Sequence, residues 1–405
     1  MHFIVLLIAI CLVFCLFDLL SDRYPAMQKQ IYNIAFFTIA ILCTARYAYG
    51  ADSYHYILHY RELTGSYTFN VHNGIAFYEP GFEILCAWCK SLGLTFWGLT
   101  AVISVAYWGA IYWLFSYVKS HQTIVLLALV VLDHSLFLEQ LRQCLAVALI
   151  IYAFCCYHKF EWKIIPIALL IAAASVHKTA LPMIGFLILC RLAYGLKTDA
   201  KAYIVLGVLL MSCVVIALHP ILLKIVPFLP GSLQESASYH LMVGKRVQKI
   251  FLLYFLAIMC MGYYTQKKQT TGDAQQDKRE QVYHWMIWCC IAVIVVLYQY
   301  YQILYRIRSY ILPFILAWLA NTVEVSDIKD KLPKQVLALV LVLFSISLTI
   351  ELPRQQEKMV GKKYRTSWVW ERLYHSETEL QERQMTQAKL YWEYDNKKGL
   401  QLGFR

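Results

Sequence analysis

The sequence predicts an all-α protein, a polytopic bundle of about twelve transmembrane helices. Composition is the first observation behind this: 60% of the residues are hydrophobic and 15% are charged, whereas a soluble domain carries roughly a quarter charged residues. The second is a series of apolar runs that approach or exceed the roughly 20 residues needed to cross a bilayer as a helix. Strands of alternating polarity are not seen, so helices satisfy the backbone in lipid.

Hydropathy places the predicted helices at 3–20, 31–46, 95–117, 123–138, 141–157, 162–177, 180–195, 202–219, 249–265, 282–300, 309–322 and 336–351. The first run lacks a basic leader and a small-residue cleavage site, so we interpret it as a retained helix rather than a signal peptide. Residues 1–352 then form the membrane bundle with a large exterior loop at 46–94, and residues 353–405 form a polar C-terminal tail.

The net charge of +12 is explained by topology. Lysine and arginine gather in the odd-numbered breaks between helices more than in the even-numbered ones, which places the odd breaks in the cytoplasm. The basic residues are dispersed and no nucleic-acid-binding pattern is present, so the bilayer is the expected partner and nucleic acid is not. The long tail falls outside on this count, although charge orients long segments weakly.

Charged residues at the ends of apolar runs are the candidate site. A charge at bilayer depth costs a few kcal/mol, so such residues usually face a cavity and mark function. The threading brings seven of them to the exterior side: Arg46, Asp52, Glu79, Arg142, His177, Arg306 and Arg308. Four of the seven are arginines, and their planar guanidinium groups match phosphate oxygens, which predicts a clamp for a diphosphate.

The exterior loop is rich in aromatic residues, with seven tyrosines between positions 46 and 80, Tyr54 among them. Tyrosine rings suit sugars because the ring packs on the sugar's C–H face while the hydroxyl bonds to it. The alternative is the aromatic belt that anchors helices at the membrane interface. Gly50 and the pair Pro80-Gly81 predict turns that direct Asp52 and Glu79 toward a cavity.

Metal binding and redox chemistry are weakly supported. His55, His59 and Glu62 would share one helix face and could hold zinc, but a solvated or interfacial face explains them as well. Cys86 and Cys89 form a lone CxxC without a second pair, and most other cysteines lie inside apolar runs, where cysteine behaves as a small hydrophobe. We therefore expect neither a metal nor a cofactor.

Five short segments in order resemble the EpsG family of Wzy-like exopolysaccharide polymerases. They are Arg46 with Gly50, Asp52 and Tyr54; YEPGFEIL at 78–85; LRQCLAVAL at 141–149; HKTAL at 177–181; and YRIRSYILPF at 305–314. The resemblance covers roughly residues 30–320. It implies a bacterial enzyme of the cytoplasmic membrane that joins lipid-linked oligosaccharide repeat units on the outer face, with a fold similar to other polytopic lipid-linked-sugar glycosyltransferases.

The resemblance also implies partners, and the chemistry of the residues agrees with it and suggests their roles. The substrate would be a polyprenyl-diphosphate-linked oligosaccharide of an exopolysaccharide, capsule or O-antigen, and a flippase and a chain-length regulator would act beside the enzyme. Arginines would stabilise the charge on the departing diphosphate. An acceptor hydroxyl needs a base; His177 is favoured, with Asp52 and Glu79 as alternatives.

Other functions remain open at this level. A transporter or flippase for the same lipid-linked sugars would also carry intramembrane charges, although no internal repeat is detected. A membrane acyltransferase would need a catalytic histidine or paired acids on the cytoplasmic side, where neither is found. A structural scaffold would leave the one-sided charges unexplained.

The threading makes a topological prediction. Segments 46–94 and 220–248 should be outside and 266–281 inside, because the odd breaks hold more basic residues. Single cysteines are introduced into each of the three segments, and intact cells are treated with a membrane-impermeant maleimide. Only cysteines in the first two segments should react. Labelling of 266–281 from outside would reverse the side assigned to every candidate residue.

Overall fold

The computed structural model describes these residues: 3–21, 24–46, 52–63, 71–72, 75–76, 78–118, 122–160, 164–194, 221, 224–228, 301–325 and short stretches between 376 and 390. The predicted helices at 202–219, 249–265, 282–300 and 336–351 lie outside the described residues, as does most of the tail. The chain divides into two compact units, residues 1–180 with 329–402, and residues 181–328 with 403–405.

Eight helices belong to the described part of the first unit: α1 Phe3–Leu20, α2 Pro25–Thr44, α3 Asp52–Glu62, α4 Pro80–Ser91, α5 Phe96–Phe115, α6 Gln122–Glu139, α7 Leu141–Phe160 and α8 Ile164–Val176. After it come α9 Ala180–Tyr194, which begins at the boundary, a 3₁₀ turn Val226–Phe228, and α10 Tyr301–Val325. The predicted all-α class is confirmed over the described residues, apart from one short hairpin.

The predicted exterior loop at 46–94 contains regular structure. Helices α3 and α4 lie within it, and between them β1 Val71–His72 pairs antiparallel with β2 Ile75–Ala76. A hydropathy search overlooks both helices because 11 and 12 residues give roughly 16–18 Å of helix, well short of a bilayer.

Helices α5, α6 and α7 are long and apolar enough to cross a membrane, and α1 and α8 are shorter apolar helices. The side chains that α1 and α8 expose are apolar where a soluble protein would be polar; Leu20 is 82% exposed and Ile171 is 65% exposed. Such faces suit contact with lipid tails. The interior is closely packed and aromatic, with Phe36, Tyr107 and Phe137 fully buried.

The order of packing brings particular helix ends together. Helix α7 packs along α8 and along α5, while α1 packs against α2 and α6. Because only residues 161–163 separate α7 from α8, the two helices form an antiparallel pair, as short connections between packed helices require. The first residues of α7 and the last residues of α8 therefore lie at the same end.

Helix α4 approaches α8 closely at Gly81. A Cβ built on Gly81 would lie 2.2 Å from the Ser175 Oγ and 2.9 Å from the Ser175 carbonyl carbon, both too short for real contacts. The absence of a side chain at Gly81 therefore lets the first turn of α4 rest on the last turn of α8.

We predict that Gly81→Ala lowers the melting temperature of the purified protein, because forcing a methyl group into a packed interface costs about 1–3 kcal/mol. Gly185→Ala is the matched control: its added Cβ meets nothing within 4 Å, and alanine is favoured over glycine in a helix. Adding Ser175→Ala to Gly81→Ala should recover part of the loss, since it removes the nearest atom. An unchanged melting temperature in Gly81→Ala would show that α4 shifts away from α8 at little cost.

Candidate functional site

Three helix ends converge on the side chain of Glu79. Glu79 is the residue before α4, in extended conformation, and Pro80 follows at the first helical position, where proline is well tolerated. Its carboxylate makes no capping bond to α4 and extends instead to the neighbouring helices. Arg142 comes from the first turn of α7, and His177 directly follows α8, donating its backbone N–H to the Ala173 carbonyl at 3.0 Å.

The carboxylate divides its two oxygens between the two partners. Its Oε2 accepts a charge-assisted hydrogen bond from the Arg142 Nη1. Its Oε1 lies 3.2 Å from the His177 Nδ1 and 3.4 Å from the backbone nitrogen of Lys178. Glu79 and His177 side chains are 9% exposed, whereas Arg142 keeps 24% of its side chain exposed. The cluster is thus closed around the carboxylate and open at the guanidinium.

Glu79 is held ionised. Burial by itself would raise the pKa of its carboxyl, but the hydrogen bond from His177 and the positive charge of Arg142 outweigh burial and hold the pKa well below its usual range. An ionised carboxylate only accepts hydrogen bonds, so the His177 Nδ1 carries a proton and donates a hydrogen bond to Glu79. In neutral His177 the basic nitrogen is then Nε2.

Aromatic rings hold the guanidinium of Arg142. Its Nε donates to the Tyr56 hydroxyl at 3.2 Å, and its central carbon lies 4.4 Å from the centre of the Tyr78 ring. The rings of Tyr56, Tyr78 and Phe82 pack on one another with centroids 5.4–5.7 Å apart. Burial is the main reason that the pKa of Tyr56 and of Tyr78 is raised, so both phenols stay protonated at neutral pH. Cation–π contact and a phenol thus fix the direction of the arginine.

A second carboxylate, that of Glu83, holds Tyr78 in its place among these rings. The Glu83 Oε1 accepts from the backbone nitrogen of Tyr78 at 3.0 Å, and its Oε2 lies 2.8 Å from the His59 Nε2. The His59 ring meets the Tyr78 ring edge-on at 4.7 Å. His59, considered above as a zinc ligand with His55 and Glu62, is therefore engaged with Glu83 in positioning Tyr78.

Asp52 and Tyr54 lie on α3, the helix that supplies Tyr56. Asp52 is exposed and is the first residue of α3, one turn before Tyr56, so the two share a helix face. Its negative charge contributes to raising the pKa of Tyr56, after burial. The side chain of Tyr54 lies outside the described residues, so its predicted role in binding substrate stays a prediction.

Arg46, which the sequence predicts to be part of the diphosphate clamp, bonds to residues of α2 and α5. It is 5% exposed, and its Nη1 donates to the Cys43 carbonyl at 2.7 Å and to the Ser104 Oγ at 2.6 Å. Neither partner belongs to the Glu79 cluster, and both lie in the packing of α2 against α5. On these contacts Arg46 ties the end of α2 to α5.

Arg306 and Arg308 were expected in a break before a helix at 309–322. They lie instead inside α10, which begins at Tyr301, and both are half-buried. The expected boundary was wrong because two charges lowered the local hydropathy, although arginine is a good helix former. They belong to the second unit, and a clamp shared with Arg142 remains a prediction.

Sequence reasoning missed the residues that surround the three charged ones. Tyr56 and Tyr78 were counted only among the tyrosines of the exterior loop, and Glu83 was not singled out. One signal was present: Glu83 follows Glu79 by four residues, which places both carboxylates on one face of a helix.

The fold and this cluster define a class, a helical membrane protein with a buried, ionised carboxylate shared by an arginine and a histidine. The chain belongs to the EpsG family, whose model matches residues 29–363. This is the Wzy-like polymerase family, and its work is polysaccharide biosynthesis. No curated protein matches the chain, and no solved structure matches it either.

The Glu79–Arg142 pair gives a stability prediction. Glu79→Gln should leave Arg142 as a half-buried charge without its counter-ion, and breaking such a pair costs about 3 kcal/mol, the low end for buried pairs because Arg142 keeps some exposure. Arg142→Gln should cost a similar amount, and the double substitution should cost less than the sum. Thermal unfolding of the four proteins in one detergent measures the coupling, and additive effects would show that the pair does not stabilise the fold.

The pH dependence of the same pair follows from the lowered pKa of Glu79. A carboxyl whose pKa is lower in the folded than in the unfolded chain stabilises the fold above the unfolded pKa. The difference in melting temperature between the wild type and Glu79→Gln should therefore be full above pH 4.5, the ordinary value, and shrink as the pH falls below it. Below pH 4.5, a difference that kept growing on further acidification would contradict the ionised state of Glu79.

Proposed function

We propose that the chain is a repeat-unit polymerase, an integral membrane glycosyltransferase of the bacterial cytoplasmic membrane. It would join polyprenyl-diphosphate-linked oligosaccharides into exopolysaccharide, capsule or O-antigen at the outer face. The observation that carries this proposal is the Glu79-centred cluster, which combines an oriented histidine with a partly exposed arginine. Membership of the EpsG family supports the class of reaction.

Arg142 is the proposed contact to the diphosphate. A guanidinium has five N–H donors, and over the described residues Glu79 and Tyr56 use two of them. The remaining donors can bind phosphate oxygens in the planar arrangement that lysine cannot reproduce. Since Tyr56, Tyr78 and Glu79 fix the guanidinium beforehand, little reorganisation is needed when charge develops on the leaving group, and such preorganised charge lowers the barrier.

His177 is the proposed base, and Glu79 positions it. With Nδ1 bound to Glu79, Nε2 is the nitrogen that can take a proton, and the carboxylate stabilises the imidazolium that results. The lowered pKa of Glu79 makes Glu79 itself a poor proton acceptor near neutral pH. Among the three acid–base candidates, we therefore assign Glu79 the role of orienting His177. Asp52 lies near Tyr56 and is not the proposed base.

The proposed step balances without a metal ion or another reactant. The acceptor hydroxyl oxygen forms a bond to the anomeric carbon of the donor sugar, and the bond from that carbon to the diphosphate oxygen breaks. The hydroxyl proton passes to the His177 Nε2. The polyprenyl diphosphate leaves with the electron pair of the broken bond, and Arg142 stabilises its negative charge.

The test is His177→Gln in cells that depend on this chain for their polymer. Glutamine keeps a hydrogen bond but cannot take up a proton at neutral pH, and loss of a general base costs on the order of 10²–10⁴ in rate. Polymer should disappear from gels while single lipid-linked units accumulate facing outward. His158→Gln is the matched control, because His158 lies in the last turn of α7 and packs on Tyr117 and Phe154.

Two outcomes would contradict the proposal. Polymer of normal length from His177→Gln would remove His177 from the role of base. Accumulation of single units facing the cytoplasm would instead mean that the chain moves lipid-linked sugars across the membrane, which is the function of a flippase.

A further inference from the structure

A cavity of about 330 Å³ opens between the last turn of α3, the segment after α4 and the first turn of α5. Tyr60, Phe96 and Trp97 form its aromatic wall, and Arg61 and Lys90 supply the charged groups of its lining. Its size lies at the small end of the range for ligand pockets. The lining shares no residue with the Glu79 cluster, so the cavity is a separate feature of the first unit.

Contacts within the protein hold the aromatic wall in place. The Tyr60 hydroxyl donates to the Leu94 carbonyl at 2.7 Å, the Tyr60 and Phe96 rings meet edge-on at 6.0 Å, and Phe96 meets Trp97 at 5.0 Å. Phe96 is buried while Trp97 is half-buried, so Trp97 presents the accessible ring. A fixed aromatic face with a polar edge suits the C–H face of a pyranose.

The ammonium protons of Lys90 are engaged by the protein. Its ammonium group has three protons, and it donates to the Tyr60 carbonyl at 2.8 Å, to the Arg61 carbonyl at 2.9 Å and to the Leu63 carbonyl. These are among the carbonyls that the end of α3 leaves without helical partners. With its protons committed to carbonyls, Lys90 has no N–H left for a phosphate oxygen, and the cavity presents mainly aromatic rings to a ligand. This balance favours a sugar over a lipid headgroup.

The position of the cavity matches the length of an oligosaccharide substrate. Tyr56, which binds Arg142, and Tyr60, which lines the cavity, are one turn apart on α3. Glu79 and Lys90 stand at opposite ends of α4, and eleven residues of helix span roughly 16 Å. A chain of several sugars whose reacting end lies at Glu79 would reach the cavity with a distal ring.

We propose that the cavity is a sugar subsite, which binds a pyranose ring of the oligosaccharide at a distance from the reacting end and selects substrates by that ring. This inference rests on the proposed function for the identity of the oligosaccharide. The Trp97 ring is the stacking surface, and Arg61 is the charged side chain that lines the cavity beside it.

Binding can be measured without the polymerisation reaction. The probe is the oligosaccharide released by mild acid from the cell's own lipid-linked repeat units, observed by saturation-transfer NMR on the purified protein in phosphatidylcholine nanodiscs. Wild type and Trp97→Phe should saturate one distal ring. Trp97→Leu should bind on the order of tenfold more weakly, since loss of an aromatic contact is worth about 1.4 kcal/mol. Trp113→Leu, at the far end of α5, is the matched control.

The remaining arms separate this subsite from the proposed reaction. His177→Gln should retain the NMR signal, and Trp97→Leu should raise the KM for lipid-linked units with kcat nearly unchanged. If the wild-type protein bound the probe but made no polymer, the proposed polymerase function would be wrong, whereas the proposed sugar subsite would still be supported. Equal binding of the probe by Trp97→Leu and wild type would overturn the subsite. Loss of the sugar signal in phosphatidylglycerol nanodiscs would also overturn it, because that loss would identify a lipid headgroup as the occupant.

Discussion

A carboxylate placed between a guanidinium and an imidazole joins three helix ends in the first unit. Glu79 enters from α4, Arg142 from α7 and His177 from α8, and no two of these helices are connected at that end by a tight turn. Each charged partner buried alone would carry a desolvation penalty of several kcal/mol. Together they satisfy one another, so the local arrangement of the three helices depends on all three side chains being present.

Backbone polarity acts in the same direction as these side chains. The start of α4 carries the positive end of a helix dipole and the end of α8 carries the negative end, and the two meet where Gly81 rests on Ser175. Glu79 sits at the positive end of α4, which favours its negative charge. His177 sits at the negative end of α8, which favours the imidazolium that forms when Nε2 takes up a proton. The close packing at Gly81 keeps the two helix ends near enough for the Glu79 carboxylate, at the start of α4, to bond to His177 at the end of α8.

Much of this arrangement could be predicted from sequence, within a physical limit. Hydropathy found α5 to α8 because each is a run of apolar residues, and the cost of placing charge at bilayer depth singled out Glu79, Arg142 and His177. Hydropathy predicts how deep in the membrane a residue lies and on which side, but it does not predict which other side chains that residue contacts. Arg46 looks the same as Arg142 at that level, yet it bonds to Ser104. The wall formed by α3 and α4 was missed because short amphipathic helices fall below the length that a membrane scan detects.

The three hydrogen bonds of Lys90 to the end of α3 have a consequence for how the sequence between α3 and α4 can change. They fasten α3 to α4 directly, so the position of Tyr56 does not depend on the chain that connects the two helices. Lengthening a connection that is already closed costs little, because loop-closure entropy rises only with the logarithm of length. A longer connection between α3 and α4 would therefore leave the Arg142 contact in place.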